Sequence, residues 1–202
     1  MRIRPLLLAA LLAAAAAPRA RAAVPLPELL LAGGRTFAVT GHPSDGGVSF
    51  SMAVMWPFAE RLRFGVQAYA DDIGSELVQL YDPNDGTPLG TAAESHRWAW
   101  GAAWRADADV WRRGPWAGGV SGAFGAWRVE DDRRGRTYAA GSSVGFRLGA
   151  DVRRSLGRGR DLGVEINYHR LDQSKAAAWQ HVGRYASAAI QFRWAGGGDN
   201  DR

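Results

Sequence analysis

The feature that most constrains this sequence is a strict alternation of apolar residues with polar or small ones, which recurs along most of the chain. Between Val48 and Trp56, for example, every second residue is apolar and mostly small residues stand between them. A period of two matches the alternating side-chain directions of a β-strand, so each such segment presents two different faces. The pattern predicts an all-β chain of eight strands, at about 35–42, 47–56, 62–72, 95–110, 116–129, 137–153, 161–170 and 184–194.

Two of these segments have a weaker pattern than the others. Segment 35–42 has only Phe37 and Val39 to define an apolar face, and segment 116–129 is so rich in glycine and alanine that it fits either parity. We predict a bulge or kink at the glycines of the second. Short connectors alternate with longer ones along most of the chain, and the longest runs from Asp72 to Glu94. This arrangement is typical of an eight-stranded antiparallel up-and-down transmembrane β-barrel.

The contents of the polar face indicate which side of the strands lines the barrel. It carries glycines and isolated charges, and lysine occurs once in the chain, at Lys175. A soluble barrel would expose several lysines, whereas arginine and carboxylate pairs suit a crowded interior because planar guanidinium groups satisfy buried acids. We therefore expect this face to point inward. Its charged residues are Arg63, Asp71, Arg97, Arg105, Asp107, Arg147, Asp151, Glu165 and Arg193.

The apolar face places aromatic residues near the strand ends. They are Trp56, Trp98, Trp100, Trp116, Tyr138, Tyr168 and Trp194. Aromatic residues at both ends of apolar strands form the interfacial girdles of outer-membrane barrels. The alternative is a soluble periplasmic barrel of lipocalin type that binds a small apolar ligand.

The N-terminal segment has the features of a secretory signal. Arg2 and Arg4 precede an apolar run over 5–17, and small residues flank Arg21. The run is about seven residues too short to cross a bilayer as a helix. We expect a signal peptide at 1–22, a lead-in segment at 23–34, the barrel at 35–194 and a short tail at 195–202.

Charge and cysteine content exclude several functions. Cleavage after Ala22 would remove four arginines and leave 25 − 4 = 21 basic residues against 20 acidic ones. The net charge then falls from +5 to +1, so nothing in it favours a nucleic-acid partner. Without cysteine there are no disulfides, thiolate nucleophiles or cysteine-bound metals. We predict no cofactor and no metal site.

Over about 35–194 the chain resembles the small eight-stranded outer-membrane β-barrel proteins of Gram-negative-type bacteria, of the OmpA-like transmembrane type without a peptidoglycan-binding domain. The most specific element is the segment 187–194, which resembles the C-terminal signal read by the outer-membrane assembly machinery. Its signal residues are Ser187, Ala189, Phe192 and Trp194. Ala189 stands where that family usually has glycine, and 195–202 follow an aromatic residue that is usually terminal. The resemblance implies a bacterial outer-membrane location, with membrane lipid and the assembly machinery as partners.

Three inward residues are candidates for an interior ion-pair group. If the connector between the sixth and seventh strands centres near Leu156, Arg147 lies opposite Glu165. If the last loop centres near Trp179, Glu165 lies opposite Arg193. We therefore predict that Glu165 is bracketed by the two guanidinium groups.

One histidine suggests an enzymatic alternative. In outer-membrane lipid A deacylases, which are also eight-stranded barrels, a histidine near the end of the penultimate strand is followed two residues later by a serine nucleophile. His169 matches the histidine, but Leu171 occupies the serine position and Ser174 lies three residues further on. Nucleophilic catalysis needs the hydroxyl within reach of its base, so we predict no catalytic residues.

The width of an eight-stranded barrel bounds the remaining functions. Its interior is just wide enough to be filled by side chains, so bulk porin function is not expected. We expect a non-enzymatic outer-membrane barrel with an envelope-structural role or loop-mediated interactions. A lipid A-modifying hydrolase and the soluble binding barrel are the alternatives.

Overall fold

The computed structural model describes residues 26–38, 46–81, 85–133, 136–172 and 184–195, which form one closed antiparallel barrel. Each strand pairs with its neighbours in the chain, and the first pairs with the last. The strands are β1 (Glu28–Ala38), β2 (Val48–Ala59), β3 (Leu62–Tyr81), β4 (Pro88–Arg113), β5 (Trp116–Arg133), β6 (Arg136–Gly157), β7 (Arg160–Asp172) and β8 (Arg184–Ala195). Within those ranges, no helix is long and apolar enough to cross a membrane. The eight-stranded antiparallel fold predicted from the alternation is confirmed.

The first strand begins earlier than the sequence predicted. β1 begins at Glu28 rather than at Arg35, so most of the expected lead-in segment 23–34 belongs to the barrel wall. Leu29, Leu30 and Leu31 are consecutive leucines, which hide the period of two. Only Leu30 points inward, where it is fully buried. The predicted signal segment 1–22 and residues 196–202 of the predicted tail lie outside the described residues.

The predicted long loop from Asp72 to Glu94 is mostly a hairpin. β3 and β4 stay paired as far as Tyr81 and Pro88, which is beyond the end of the alternating sequence pattern. Asp85 is exposed and its carboxylate accepts hydrogen bonds from the Thr87 hydroxyl and backbone amide. The bonds from Thr87 lower the pKa of Asp85. Among the described residues there is no cluster of three or more acidic or histidine side chains that could hold a metal ion.

The inward and outward faces are those that the alternation predicts. All nine charged residues assigned to the polar face are buried inside the barrel. The outward face is apolar and solvent-accessible in the isolated chain, and Trp104 (73%) and Ile166 (65%) are among its most exposed residues. Among the described residues, seven tryptophans lie on it: Trp56, Trp98, Trp100, Trp104, Trp111, Trp116 and Trp194. The side chain of Tyr138 lies outside the described residues.

The irregularity predicted in the glycine-rich fifth strand lies in its neighbour. β5 pairs continuously with β6 through its glycines, whereas β4 carries one extra residue, Val110, opposite Gly118 and Gly119. A side chain at Gly118 would overlap the indole of Trp111, so the glycine makes room for that ring. Trp127 settles the parity that the sequence left open, because it points inward and packs against Tyr69, with ring centroids 4.8 Å apart and ring planes tilted by 37°.

Candidate functional site: the charged interior

Glu165 of β7 lies at the centre of the interior and is completely buried. Its Oε1 accepts a hydrogen bond from Arg147 at 2.9 Å and another from Arg105 at 2.8 Å. Ser121 approaches the same oxygen at 3.4 Å. The carboxylate is thus held by guanidinium groups from β4 and β6, the first of which the sequence analysis did not pair with it.

Arg193 does not contact Glu165. It donates to Asp107 at 2.8 Å and lies 3.6 Å from Glu28, whose carboxylate also binds Arg63 at 2.8 Å. Asp107 is shared, because its other oxygen accepts a hydrogen bond from Arg105 at 2.6 Å. Arg147 therefore contacts Glu165 as predicted. Arg193 is connected to Glu165 through Asp107 and Arg105.

The difference from the predicted arrangement comes from register. Arg147 pairs with His169 and Glu165 pairs with Ala189, each four residues away from the predicted partner. The β6–β7 turn is centred on Arg158, where Gly157, Arg158 and Gly159 all have positive φ, rather than near Leu156. A small displacement of the turn centre shifts every pair along both strands.

The network continues towards the end of the barrel that carries the short turns. Asp109 accepts a hydrogen bond from Arg63 at 3.0 Å and is also paired with Arg153, which binds Asp151 at 2.7 Å. Within the described part of the chain, the interior part of one connected network joins five arginines and five carboxylates, so its formal charge is zero. Its members are Arg63, Arg105, Arg147, Arg153, Arg193, Glu28, Asp107, Asp109, Asp151 and Glu165. The more exposed Arg112 and Asp161 attach to it at Asp109 and Arg153.

Three members of this network were absent from the predicted polar face. Asp109 and Arg153 have the same parity as Asp107 and Asp151, so extending the alternation by one step would have found them. Glu28 offered no such signal, since it stands before the leucine run that hides the start of β1.

A second polar group lies towards the loop end of the interior. His169 is buried, and its Nε2 lies 3.1 Å from the Ser187 hydroxyl while its Nδ1 lies 3.8 Å from Asp71. Tyr185 stacks on the imidazole at 4.2 Å and donates a hydrogen bond to Asp71 at 2.7 Å. Ser187, His169 and Asp71 thus have the order of a hydrolase triad, which sequence spacing could not indicate because they come from three strands.

This triad-like group is closed off from possible substrates. Ser187, His169 and Asp71 are each 1% exposed, and Leu171 and Ile73 are buried in the adjacent apolar cluster. Ser174, the other serine considered in the sequence analysis, lies outside the described residues. The arrangement fits a structural hydrogen-bond cluster in the interior.

The four residues of the proposed assembly signal lie on both faces of β8. Ser187 and Ala189 point inward and are buried. Phe192 and Trp194 have the opposite parity, and Trp194 is 48% exposed on the outer surface. The alternation of the segment therefore matches the geometry of a barrel strand.

No protein-family model and no curated protein matches the sequence. Among solved structures, Neisserial surface protein A (NspA) matches with a TM-score of 0.59 at 13% identity, over 84% of this chain and 96% of that one. A major outer membrane protein from Thermus thermophilus matches with a TM-score of 0.50 at 9% identity, over 83% of this chain and 98% of that one. The fold is that of the small outer-membrane β-barrels. At these identities the likeness concerns the fold alone, so the role of this barrel has to come from its own residues.

Proposed function

We propose that this small barrel resides in the bacterial outer membrane, has an interior filled by side chains, and serves an envelope-structural role or makes contacts through its loops. The observation that carries the proposal is the pairing of a neutral, buried ion network inside with an apolar surface outside. A soluble barrel of lipocalin type is not supported, because its apolar face would line a ligand cavity rather than cover the exterior.

The height of the apolar surface supports a membrane-spanning role. On β7 the outward residues from Leu162 to Tyr168 are bracketed by Arg160 and Arg170, which are 170 − 160 = 10 residues apart. At a rise of ~3.3 Å per residue and a tilt of ~40°, this separation corresponds to ~25 Å across the membrane. That value matches the height of the apolar band of outer-membrane barrels.

The β3–β4 hairpin supports loop-mediated contacts. Pairing of β2 with β3 ends at Ser49 and Asp71, whereas β3 and β4 remain paired to Tyr81 and Pro88. Among the described residues, the end of the hairpin has no β2 neighbour and presents a strand edge. Such edges can add a strand from another chain, which offers a way for a partner to bind.

The burial of His169 disfavours the lipid A hydrolase. A lipid A ester would approach from the bilayer, but His169 points into the interior and Leu171 stands at the expected nucleophile position. Ser187 is within reach of His169 but is equally buried. Both groups are thus buried away from an ester in the bilayer.

Permeation and lipid A composition test the proposal together. We expect vesicles containing the purified protein to exclude a disaccharide as well as protein-free vesicles do, with a general porin as the positive control. We also expect expression to leave the acylation of lipid A unchanged. Swelling at the porin rate would contradict the filled interior, and loss of an acyl chain would contradict the non-enzymatic role.

A further inference from the structure

Two tryptophans on the outer surface each lie beneath a guanidinium group. Arg154 lies over Trp116 at 5.9 Å from the ring centroid, near the end of the barrel with the short turns. Arg128 lies over Trp100 at 5.8 Å, near the loop end. The geometry of the two cation–π pairs is nearly the same, so differences in their surroundings can be compared directly.

The surroundings of the two pairs differ in charge. Arg128 donates a hydrogen bond to Glu130 at 2.7 Å and is neutralised by it. Arg154 has no acidic partner within the described ranges, and a second arginine, Arg113, stands on the other side of Trp116. Register places Arg113, Trp116 and Arg154 directly opposite one another on β4, β5 and β6. Cross-strand partners project from the same face, so two uncompensated cations flank one exposed indole.

The rest of this end of the barrel is also basic. Exposed arginines at the turn end are Arg61, Arg112, Arg113, Arg154, Arg158 and Arg160. Of these, Arg112 binds Asp109 at 2.6 Å. Among the described residues at this rim, Glu60 is exposed and Asp161 is half-buried, so cations exceed anions there. The surface therefore attracts anions. The group of Arg113, Trp116 and Arg154 is the best-defined anion-binding position on it.

The surface next to this group is apolar. Val152 on β6, Val120 on β5 and Leu162 on β7 are exposed on the outer face adjoining Trp116 and Arg154. A ligand that fits both regions carries a negative headgroup on an apolar tail. Tryptophan and arginine at the edge of an apolar band are suited to the boundary between acyl chains and headgroups.

We propose that Arg113, Trp116 and Arg154 bind the phosphate of an anionic phospholipid in the leaflet around the short turns. The proposal rests on the membrane-spanning role given above, in which short turns face the periplasm. The two guanidinium groups bind the phosphate, the indole lies against the glycerol region, and the acyl chains follow the valine and leucine surface.

Lipid retention tests this site. Purified protein in mixed micelles of phosphatidylglycerol and phosphatidylcholine is analysed by native mass spectrometry, and the ratio of the two bound lipids is measured. We expect the wild type to prefer phosphatidylglycerol. The preference should fall about fivefold for each of Arg113→Gln and Arg154→Gln, since each removes one cation from a site that binds an anionic lipid. Arg154→Lys should keep more of the preference than Arg154→Gln.

Arg128→Gln is the matched control, because it removes one arginine with the same cation–π geometry at the other end of the barrel. Its lipid ratio should equal that of the wild type. An equal loss in Arg128→Gln would show a general charge effect and overturn the site, as would an unchanged ratio in Arg113→Gln and Arg154→Gln. Inorganic phosphate should not displace the lipid, and displacement would show that the site binds free phosphate instead.

Failure of this site can be separated from failure of the membrane role. Each protein is first checked for the faster unboiled migration of a folded barrel on SDS gels. A wild type that shows this band and fractionates with the outer membrane, but has no lipid preference, would overturn the lipid site alone. A wild type that is freely soluble would overturn the proposed function itself.

Discussion

Glu165 is shared by two buried guanidinium groups. Arg105 also binds Asp107, whereas Arg147 has no other ion pair among the described residues. Removing one member of a buried ion pair costs ~3–5 kcal/mol, because its partners remain charged and unpaired. We therefore predict that Glu165→Leu strongly lowers the midpoint of thermal unfolding and the resistance of the folded band to SDS. The measurement is the loss of unboiled gel migration with temperature.

Glu60→Leu is the matched control for this prediction. Glu60 is exposed in the β2–β3 turn, so the same chemical change there leaves no buried partner unpaired. Equal unfolding midpoints for the two variants would contradict the central position of Glu165 in the interior.

At the level of residues, the sequence could predict which side chains point inward but not which of them pair. The period of two gives the side of the strand on which each residue lies, and it placed nine charged residues correctly on the inward face. Pairing depends on register, and register depends on turn geometry. The β6–β7 turn is centred on Arg158, which has a positive φ although arginine gives no sequence signal for that conformation. The cluster of His169, Ser187 and Asp71 depends on the register of several strands in the same way.

The pair of strands that closes the barrel has a tight contact at Gly34. Gly34 of β1 pairs with Ala189 of β8, and a side chain at Gly34 would overlap the backbone of Ala188 and Ala189. We predict that Gly34→Ala weakens closure by ~1–3 kcal/mol, the usual cost of overpacking. A lower fraction of folded protein on unboiled gels after refolding would report it.

Gly33→Ala is the control for closure. Gly33 is the next residue on β1, and a side chain there meets nothing within 4 Å. It should refold as well as the wild type. If Gly34→Ala refolded equally well, the close approach of β1 and β8 at this point would be contradicted.

The aromatic residues at the end of β8 should act during assembly rather than in the finished barrel. Phe192 and Trp194 point outward and have no part in the interior network. We predict that the Phe192→Ala, Trp194→Ala double variant is degraded or aggregates in the periplasm when expressed in cells, yet refolds in detergent when purified. Normal insertion in cells would show that 187–194 is not an assembly signal.

At the level of strands, the sequence predicted their number and order, but several ends were wrong. The alternation is clear where one face meets lipid and the other meets the interior. It fades where a strand leaves the apolar band, as in the outer part of β3 and β4, or where both faces are apolar, as at Leu29 to Leu31. These ends are set by backbone pairing with the neighbouring strand.

At the level of the whole molecule, the interior and the exterior are reversed relative to a soluble protein. Charged side chains fill the centre and neutralise one another, while the apolar surface faces outward. Closure of the sheet leaves no unpaired edge within the apolar band, which is the condition for a β-structure to cross a bilayer. This reversed arrangement requires lipid around the barrel.

Membrane fractionation tests that claim most directly. The full chain is expressed in a Gram-negative host, and its envelope is separated on a density gradient with inner- and outer-membrane markers. We predict that the protein co-migrates with the outer-membrane marker and leaves that fraction only with detergent. Recovery as a freely soluble periplasmic protein without detergent would contradict the assignment of the apolar face to lipid and of the charged face to the interior.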